Sequence, residues 1–421
     1  MKLNVLIAPS GFKESLGADE VTDCIAAGVL RVLPEARIMK APLVDGGEGF
    51  TKALVAATGG TLHDVVVTGP IGQPVQSHFG FLGGEGPKTA VLEMAAAAGL
   101  RLVPRECRDP FVTTTFGVGE LIKAALNSGA ERLLIGCGDS GTNDGGAGMA
   151  QALGIRLLDN TNKEIGRGGG ALTRLARIDL SSRDPRIDQV RIDVACNWHN
   201  VLCGPNGVAR VFGPQKGASP ETVERLAAAL DRYAGVLKDA TGIDVRGMPG
   251  GGASGGLGAG LCALLGARLH PRYEIVMQYL ELDSLLAQAD VVFTAEGAID
   301  FQTPRGKIPA EVARRAKKYG LPVITLAGTI GKNACVNLEC GIDAYSSIME
   351  APCTLAEAIE DAPRLLEAAA EHVMRMILIG THLRRAGCPS AVGAGMRENR
   401  EPKSAFLPHR TESVVGQRAM A

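Results

Sequence analysis

One stretch constrains the fold more than any other: Leu133 to Gly154, LLIGCGDSGTNDGGAGMAQALG. A short apolar run passes through a loop of glycines and small polar residues into an apolar helical pattern. Leu133, Leu134 and Ile135 read as a buried strand, and Asn143 or Asp144 as the N-cap of a helix carrying Met149, Ala152 and Leu153. Such a strand-to-helix step belongs to an α/β chain with a mainly parallel sheet. A glycine-lined helix entrance exposes backbone N–H groups at the positive end of the dipole, which suits a phosphate or a carboxylate. The plainer alternative is a tight turn that binds nothing.

The same step recurs along the chain. Leu3 to Ala8 is a strand, PSGFKES a loop, and Val21, Ile25 and Val29 give a helix through about Val32. Ser10 and Lys13 thus lie at a strand exit, where open α/β sheets bind ligands. Ile38 to Val44 is the next strand and ends in Asp45-Gly46-Gly47-Glu48-Gly49, whose acids suit a general base or a Mg²⁺ shell. A helix start also favours acids for its dipole alone. Val65–Val67 and Phe79–Leu82 are spaced closely enough to be antiparallel or edge strands. Arg191 to Cys196 leads into Asn197-Trp198-His199-Asn200, and PGGGASGG (249–256) opens a helix over Leu257–Leu265. Asp290 to Thr294 ends in EGAID (296–300), with Arg305 and Lys307 just before a helix over Ala310–Lys318. Lys307 is followed by Ile308, so this is not a P-loop. Leu355–Leu378 reads as one long helix kinked near Pro363, and beyond about Thr381 periodicity vanishes, which predicts a disordered tail.

Composition excludes several classes. The chain has 421 residues, enough for two or three domains, and 46% of them are apolar. A net charge of −1 and 4% aromatics leave no basic field or stacking platform for nucleic acid. Ten cysteines without a CxxC pair read as small buried groups in a reducing compartment. No apolar run approaches the ~20 residues of a membrane span. A cytoplasmic protein with small-molecule partners is expected, without nucleic acid or membrane, its oligomeric state open.

Taken together, APSGFKESL (8–16), DGGEG (45–49), EMAAAAGL (93–100), TTTFGVGELI (113–122), TNDGGAGMAQALG (142–154), GPNG…VFGPQKGA (204–218), GGLGAGL (255–261), EGAIDFQTPRGK (296–307) and LAGT (326–329) resemble the bacterial type-1 glycerate kinase family. The blocks keep the family's order over most of 1–378. Two departures are Asn197, where the family carries an acid, and Gly138-Asp139-Ser140-Gly141-Thr142, where it carries GGSAT. The resemblance implies two different α/β domains: a mainly parallel Rossmann-like domain (1–75 and 286–380) interrupted by an inserted α/β domain (76–285), a cleft between them, and a tail over 381–421.

It also implies an ATP- and Mg²⁺-dependent kinase that phosphorylates D-glycerate, giving 2-phosphoglycerate. In that frame Asp45 accepts the hydroxyl proton, with Asp144 as runner-up and Lys13 as a further catalytic group. Ser10, Ser140, Thr142, Asn143, Asn197 and Asn200 bind the acceptor. Lys216, Gly251, Gly252, Ser254, Gly255 and Lys307 bind the nucleotide, and Glu296 and Asp300 the metal. The alternatives are a 3-phosphate product, another small hydroxy acid, or a non-catalytic metabolite binder. A nicotinamide-dependent dehydrogenase is disfavoured because no G-x-G-x-x-G follows the first strand.

Overall fold

The computed structural model describes residues 3–12 and 15–385. Lys13 and residues 386–421 of the expected tail lie outside the described residues.

Two sheets organise the chain. β1 (Asn4–Ile7) and β2 (Arg37–Lys40) begin the first, and β3 (Thr61–Thr68), β4 (Pro74–Phe81), β5 (Thr89–Glu93) and β6 (Arg132–Cys137) begin the second. After a small antiparallel ribbon of β7 (Arg156–Leu158) and β8 (Arg177–Asp179), β9 (Arg191–Cys196) and β10 (Arg268–Pro271) complete the second sheet. β11 (Val291–Ile299), β12 (Val323–Ile330) and β13 (Ala344–Ser347) then return to the first.

The first sheet has the order β13-β12-β11-β1-β2 and is parallel throughout. From β1 the chain moves one way to β2, and from β11 the other way to β12 and β13. The order therefore reverses between β1 and β11, and such a switch point leaves a crevice at the carboxyl ends of the strands. The second sheet runs β10-β9-β6-β5-β4-β3 without reversal, parallel from β5 to β10. Its edge is the antiparallel pair β3–β4, as the close spacing of those strands predicts. The chain leaves the first sheet after β2 and rejoins it at β11, and position 75/76, the expected domain border, falls within β4.

Period-two alternation along the central strands divides the second sheet between two cores. Leu133 and Ile135 of β6 face one cluster with Val118, Leu121 and Ile122, whereas Leu134 between them joins Val91, Ala195 and first-sheet residues Leu6 and Val292 in the other. The buried runs of β1, β5, β6 and β9 are those of strands covered on both faces.

The helix Ala18–Val32 ends where the sequence places it, and the helix Pro220–Thr241 is capped by Ser219, whose side chain accepts the Thr222 N–H. The expected single helix over Leu355–Leu378 is two: Leu355–Glu360 and Ala362–Arg385. Pro363 has no N–H to offer the carbonyl of Ile359, which instead accepts the Ser15 hydroxyl at 3.3 Å. The second of these helices runs through Arg385, past the expected start of the tail at 381. Residues through 374 form one compact unit. Among the described residues no helix is long and apolar enough to cross a membrane.

Candidate active site

The glycine-rich loops that dominate the sequence are closed by the protein's own groups. Asp144 is fully buried, and its carboxylate accepts from the backbone N–H of Thr115, Gly146 and Gly148 and from the hydroxyls of Thr114 and Thr115, at 2.8–3.4 Å. Burial pushes its pKa up, and these donors pull against that. The helix that follows (Ala147–Ala152) thus has an internal anion at its entrance. Asp144 was the expected alternative base; its lone pairs are instead committed to holding the loop.

Lys216 closes the loop from the other side. It is buried, and its ammonium donates to Ser140 Oγ (2.7 Å), the Thr142 carbonyl (2.7 Å) and Asn143 Oδ1 (3.1 Å). An ammonium has three protons, so none is left for a phosphate. Two buried donors of the loop, Thr142 Oγ1 and Asn143 Nδ2, have no partner and keep hydrogen-bonding capacity for a ligand oxygen.

Loop 250–256 packs on this one. The element Ala253–Leu265 has left-handed φ at Ser254, Gly255 and Gly256, so its regular helix starts at Leu257, as expected. A Cβ on Gly255 would lie 1.9 Å from the Thr142 carbonyl, which is why a glycine stands there. The amides of Gly250, Gly251 and Gly252 donate to the carbonyls of Trp198, Met248 and Asn200. Of the four residues expected at the nucleotide, Gly252 and Gly255 pack against neighbouring loops, Gly251 closes a local turn on Met248, and Ser254 Oγ is buried without a hydrogen-bond partner. Asn197 Oδ1 accepts the His199 N–H at 3.2 Å, while Trp198 is exposed at the exit of β9.

The DGGEG turn has a plug of the same kind. The carboxylate of Glu93, at the end of β5 and 2% exposed, accepts from the N–H of Gly49 (3.0 Å) and Thr51 (2.7 Å) at the start of the helix Phe50–Thr58. With that helix end satisfied, Asp45 remains outside. Its side chain is 47% exposed; Oδ1 accepts the Gly47 N–H, and Oδ2 faces Arg272 Nη1 at 3.4 Å. Asp139, in a left-handed conformation at the exit of β6, accepts the Glu48 N–H at 2.9 Å. A methyl on Gly47 would lie 2.1 Å from Asp139 Oδ2 and 3.1 Å from Asp45 Oδ1, so both carboxylates converge on one glycine.

Arg272 is held in place from below. Asp193 is fully buried on β9 and accepts from Arg191 (2.8 Å), from His270 on β10 (2.8 Å) and from the Tyr279 hydroxyl (3.0 Å). Burial alone would raise the Asp193 carboxyl; these hydrogen bonds hold it below its ordinary value. They tie β10 and the helix Arg272–Tyr279 to β9, fixing the arginine at that helix's first position. Beside it, burial pushes the Tyr273 phenol up to about 12, Arg272 opposing while Asp45 and Glu296 add to the rise. One side chain therefore lies within electrostatic reach of two acids of the first sheet, Asp45 beyond β2 and Glu296 on β11.

At the switch point of the first sheet, Glu296 follows the buried run Val291–Ala295 of β11, and Asp300 comes directly after the strand. Lys307 Nζ lies 3.6 Å from Glu296 Oε1 and 3.9 Å from Asp300 Oδ1, and donates to the Ala298 carbonyl at 3.3 Å. Ser10, at the exit of β1, donates its hydroxyl to the Ala295 carbonyl. Lys307 also begins the helix Ile308–Lys318, whose first turn has no side-chain cap. The structure thus gathers Ser10, Glu296, Asp300 and Lys307 at one sheet, and Ser140, Thr142, Asn143 and Lys216 at a second place. It brings Asp45 to Asp139 and Arg272, two partners that sequence reasoning missed. Arg272 follows β10 directly, a charged residue straight after a strand, which is the kind of signal the sequence offered for Asp45 and Glu296.

Charged loops collected at the carboxyl ends of parallel strands, with loosely held acids and bases among them, define an α/β enzyme. Comparison with known proteins carries this further. Residues 5–378 match the model of the glycerate kinase family. The "Glycerate kinase" of Bacillus subtilis strain 168 is 48% identical over 375 residues, covering 89% of this chain and 98% of the relative. The "Glycerate 2-kinase" of Escherichia coli K12 is 47% identical over 385 residues, 91% of this chain and all of the relative. A solved chain from Salmonella typhimurium LT2, described as a glycerate kinase 2, superposes with a TM-score of 0.81 at 45% identity, covering 91% of this chain and all of that one. The chain belongs to the glycerate kinase family.

Proposed function

We propose that this chain transfers the γ-phosphoryl group of ATP to the 2-hydroxyl of D-glycerate, with Mg²⁺. The observation that carries this reading is the pairing of Asp45 with Arg272 at 3.4 Å, within electrostatic reach of the Tyr273 that also senses Glu296. A small hydroxy acid needs a cation for its carboxylate and a carboxylate for the proton its hydroxyl loses. Arg272 and Asp45 supply these two groups side by side. Thr142 Oγ1 and Asn143 Nδ2 are further donors for the acceptor's oxygens. On the donor side, Lys307 and the uncapped start of the helix Ile308–Lys318 suit a chain of phosphates.

Among the described residues no three His, Cys, Asp or Glu side chains are grouped to hold a metal on their own. Mg²⁺ asks for less, one or two carboxylates completed by phosphates and water, and Glu296 and Asp300 fit that requirement. When bound, the ion would neutralise charge developing on the transferred group. The passage of the chain out of the first sheet after β2 and back at β11 supports reading 76–285, with the preceding hairpin strand β3, as an inserted lobe. Closure of this lobe over the first would exclude water.

The test is phosphorus NMR of the products formed from ATP, Mg²⁺ and D-glycerate. A 2-phosphate is expected. A 3-phosphate keeps the kinase and reverses the docking of the acceptor, while no phosphoglycerate at all overturns the reading.

A further inference from the structure

Building on the kinase reading, the geometry points to a nucleoside site at the outer end of the first sheet. A cavity of about 550 Å³ lies beyond β12 and β13, lined by Thr329, Met349, Pro352, Cys353, Thr354 and Leu355 among others. Its size is within the roughly 300–1,000 Å³ of small-molecule sites. Its lining sets Met349, Pro352 and Leu355 beside the polar Thr329, Glu350 and Thr354, which offers a flat base both apolar contact and hydrogen-bonding groups, and Leu355 at its rim leaves 75% of its surface uncovered.

Its place in the sheet says which part of a ligand it takes. Thr329 is the register partner of Ala298, whose carbonyl accepts the Lys307 ammonium. The cavity is therefore one strand away from the lysine at the candidate phosphate position. Across the carboxyl edge of the sheet the order is cavity at β12, Lys307 with Glu296 at β11, Ser10 at β1, then the exit of β2 that leads to Asp45. Those three strand spacings come to about 15 Å. A nucleoside triphosphate in extended form covers that span, with its base in the cavity, its phosphates past Lys307 and the switch point, and its terminal phosphorus toward Asp45. In the glycine loops of the other sheet the amides of Gly250, Gly251 and Gly252 and the ammonium of Lys216 are already partnered.

Two measurements test this, one of them independent of turnover. Cys107, Cys335 and Cys353 are exposed, so alkylation by iodoacetamide can be followed at all three by peptide mass spectrometry, with and without a non-hydrolysable ATP analogue. Slowed labelling at Cys353 alone, reproduced by adenosine but not by inorganic triphosphate, is the expected result. Unchanged labelling at Cys353, or equal slowing at all three, overturns the proposal. In the second measurement, Thr329→Trp fills the cavity from an exposed position that the core does not need. The KM for ATP should rise at least about tenfold with the KM for glycerate unchanged; a KM for ATP within about twofold of the parent value counts against the site. A wild-type protein that protects Cys353 yet makes no phosphoglycerate would retain the pocket and remove only the acceptor assignment.

Discussion

The loop after β6 and the turn after β2 carry almost the same residues, glycines around a pair of acids before a helix, and they are used in opposite ways. In the first, Asp144 is sealed beneath five donors and a buried lysine closes the loop over it. In the second, a carboxylate from another strand, Glu93, satisfies the helix end and leaves Asp45 half in solvent beside a single long contact to Arg272. The lesson is that a buried, fully partnered acid builds a site, whereas a loosely partnered one next to it is free to work in it. Groups whose hydrogen bonds are complete gain nothing from a substrate.

Removing the carboxylate at the two positions gives the sharpest separation. Asp45→Asn should lower turnover by roughly 10²–10⁴-fold while the melting temperature stays near that of the parent. Asp144→Ala should do the reverse in kind, costing about 3–5 kcal/mol of stability through stranded buried donors, read as a lowered midpoint in denaturant. A variant of Asp45 with normal turnover, or one of Asp144 with parental stability, would erase the distinction.

The smallest effect concerns Lys216, whose pKa burial brings down from 10.5 to about 7, the charge of Asp144 resisting. Between those two values the unfolded chain binds the proton more tightly than the folded one, so this group's contribution to stability rises as pH climbs from 7 towards 10.5 and is flat below 7. Melting temperatures at pH 7 and pH 9.5 should show a gain in the parent that Lys216→Met lacks. Equal pH dependence in both would mean the folded lysine keeps its ordinary pKa.

Much of this was legible from the residues. The helix over Ala18–Val32, the start at Leu257 and the antiparallel edge follow from local periodicity and turn chemistry, whereas β2 stops at Lys40, short of the expected Val44, and β11 runs on through Glu296 to Ile299. What could not be read was direction. Asp144 and Asp45 look alike in a string of letters because their difference lies in Thr115 and Glu93, thirty to fifty positions away. For the same reason Lys216 passed as a phosphate ligand, its three acceptors lying more than seventy residues upstream. Arg272 and Tyr273 gain meaning only once Asp193 draws β10 and its helix against β9.

The switch point has a consequence for how such a chain is made. β1 pairs with β2 within forty residues, yet its other edge must wait for β11, whose Val291 stands opposite Val5. At synthesis rates of roughly 5–20 residues per second, that wait lasts on the order of 15–60 s. Throughout it an apolar strand edge is open and the whole second sheet emerges between the two halves of the first. Translation thus imposes an order of assembly, with the inserted strands coming together first and the crevice of the first sheet among the last surfaces to exist.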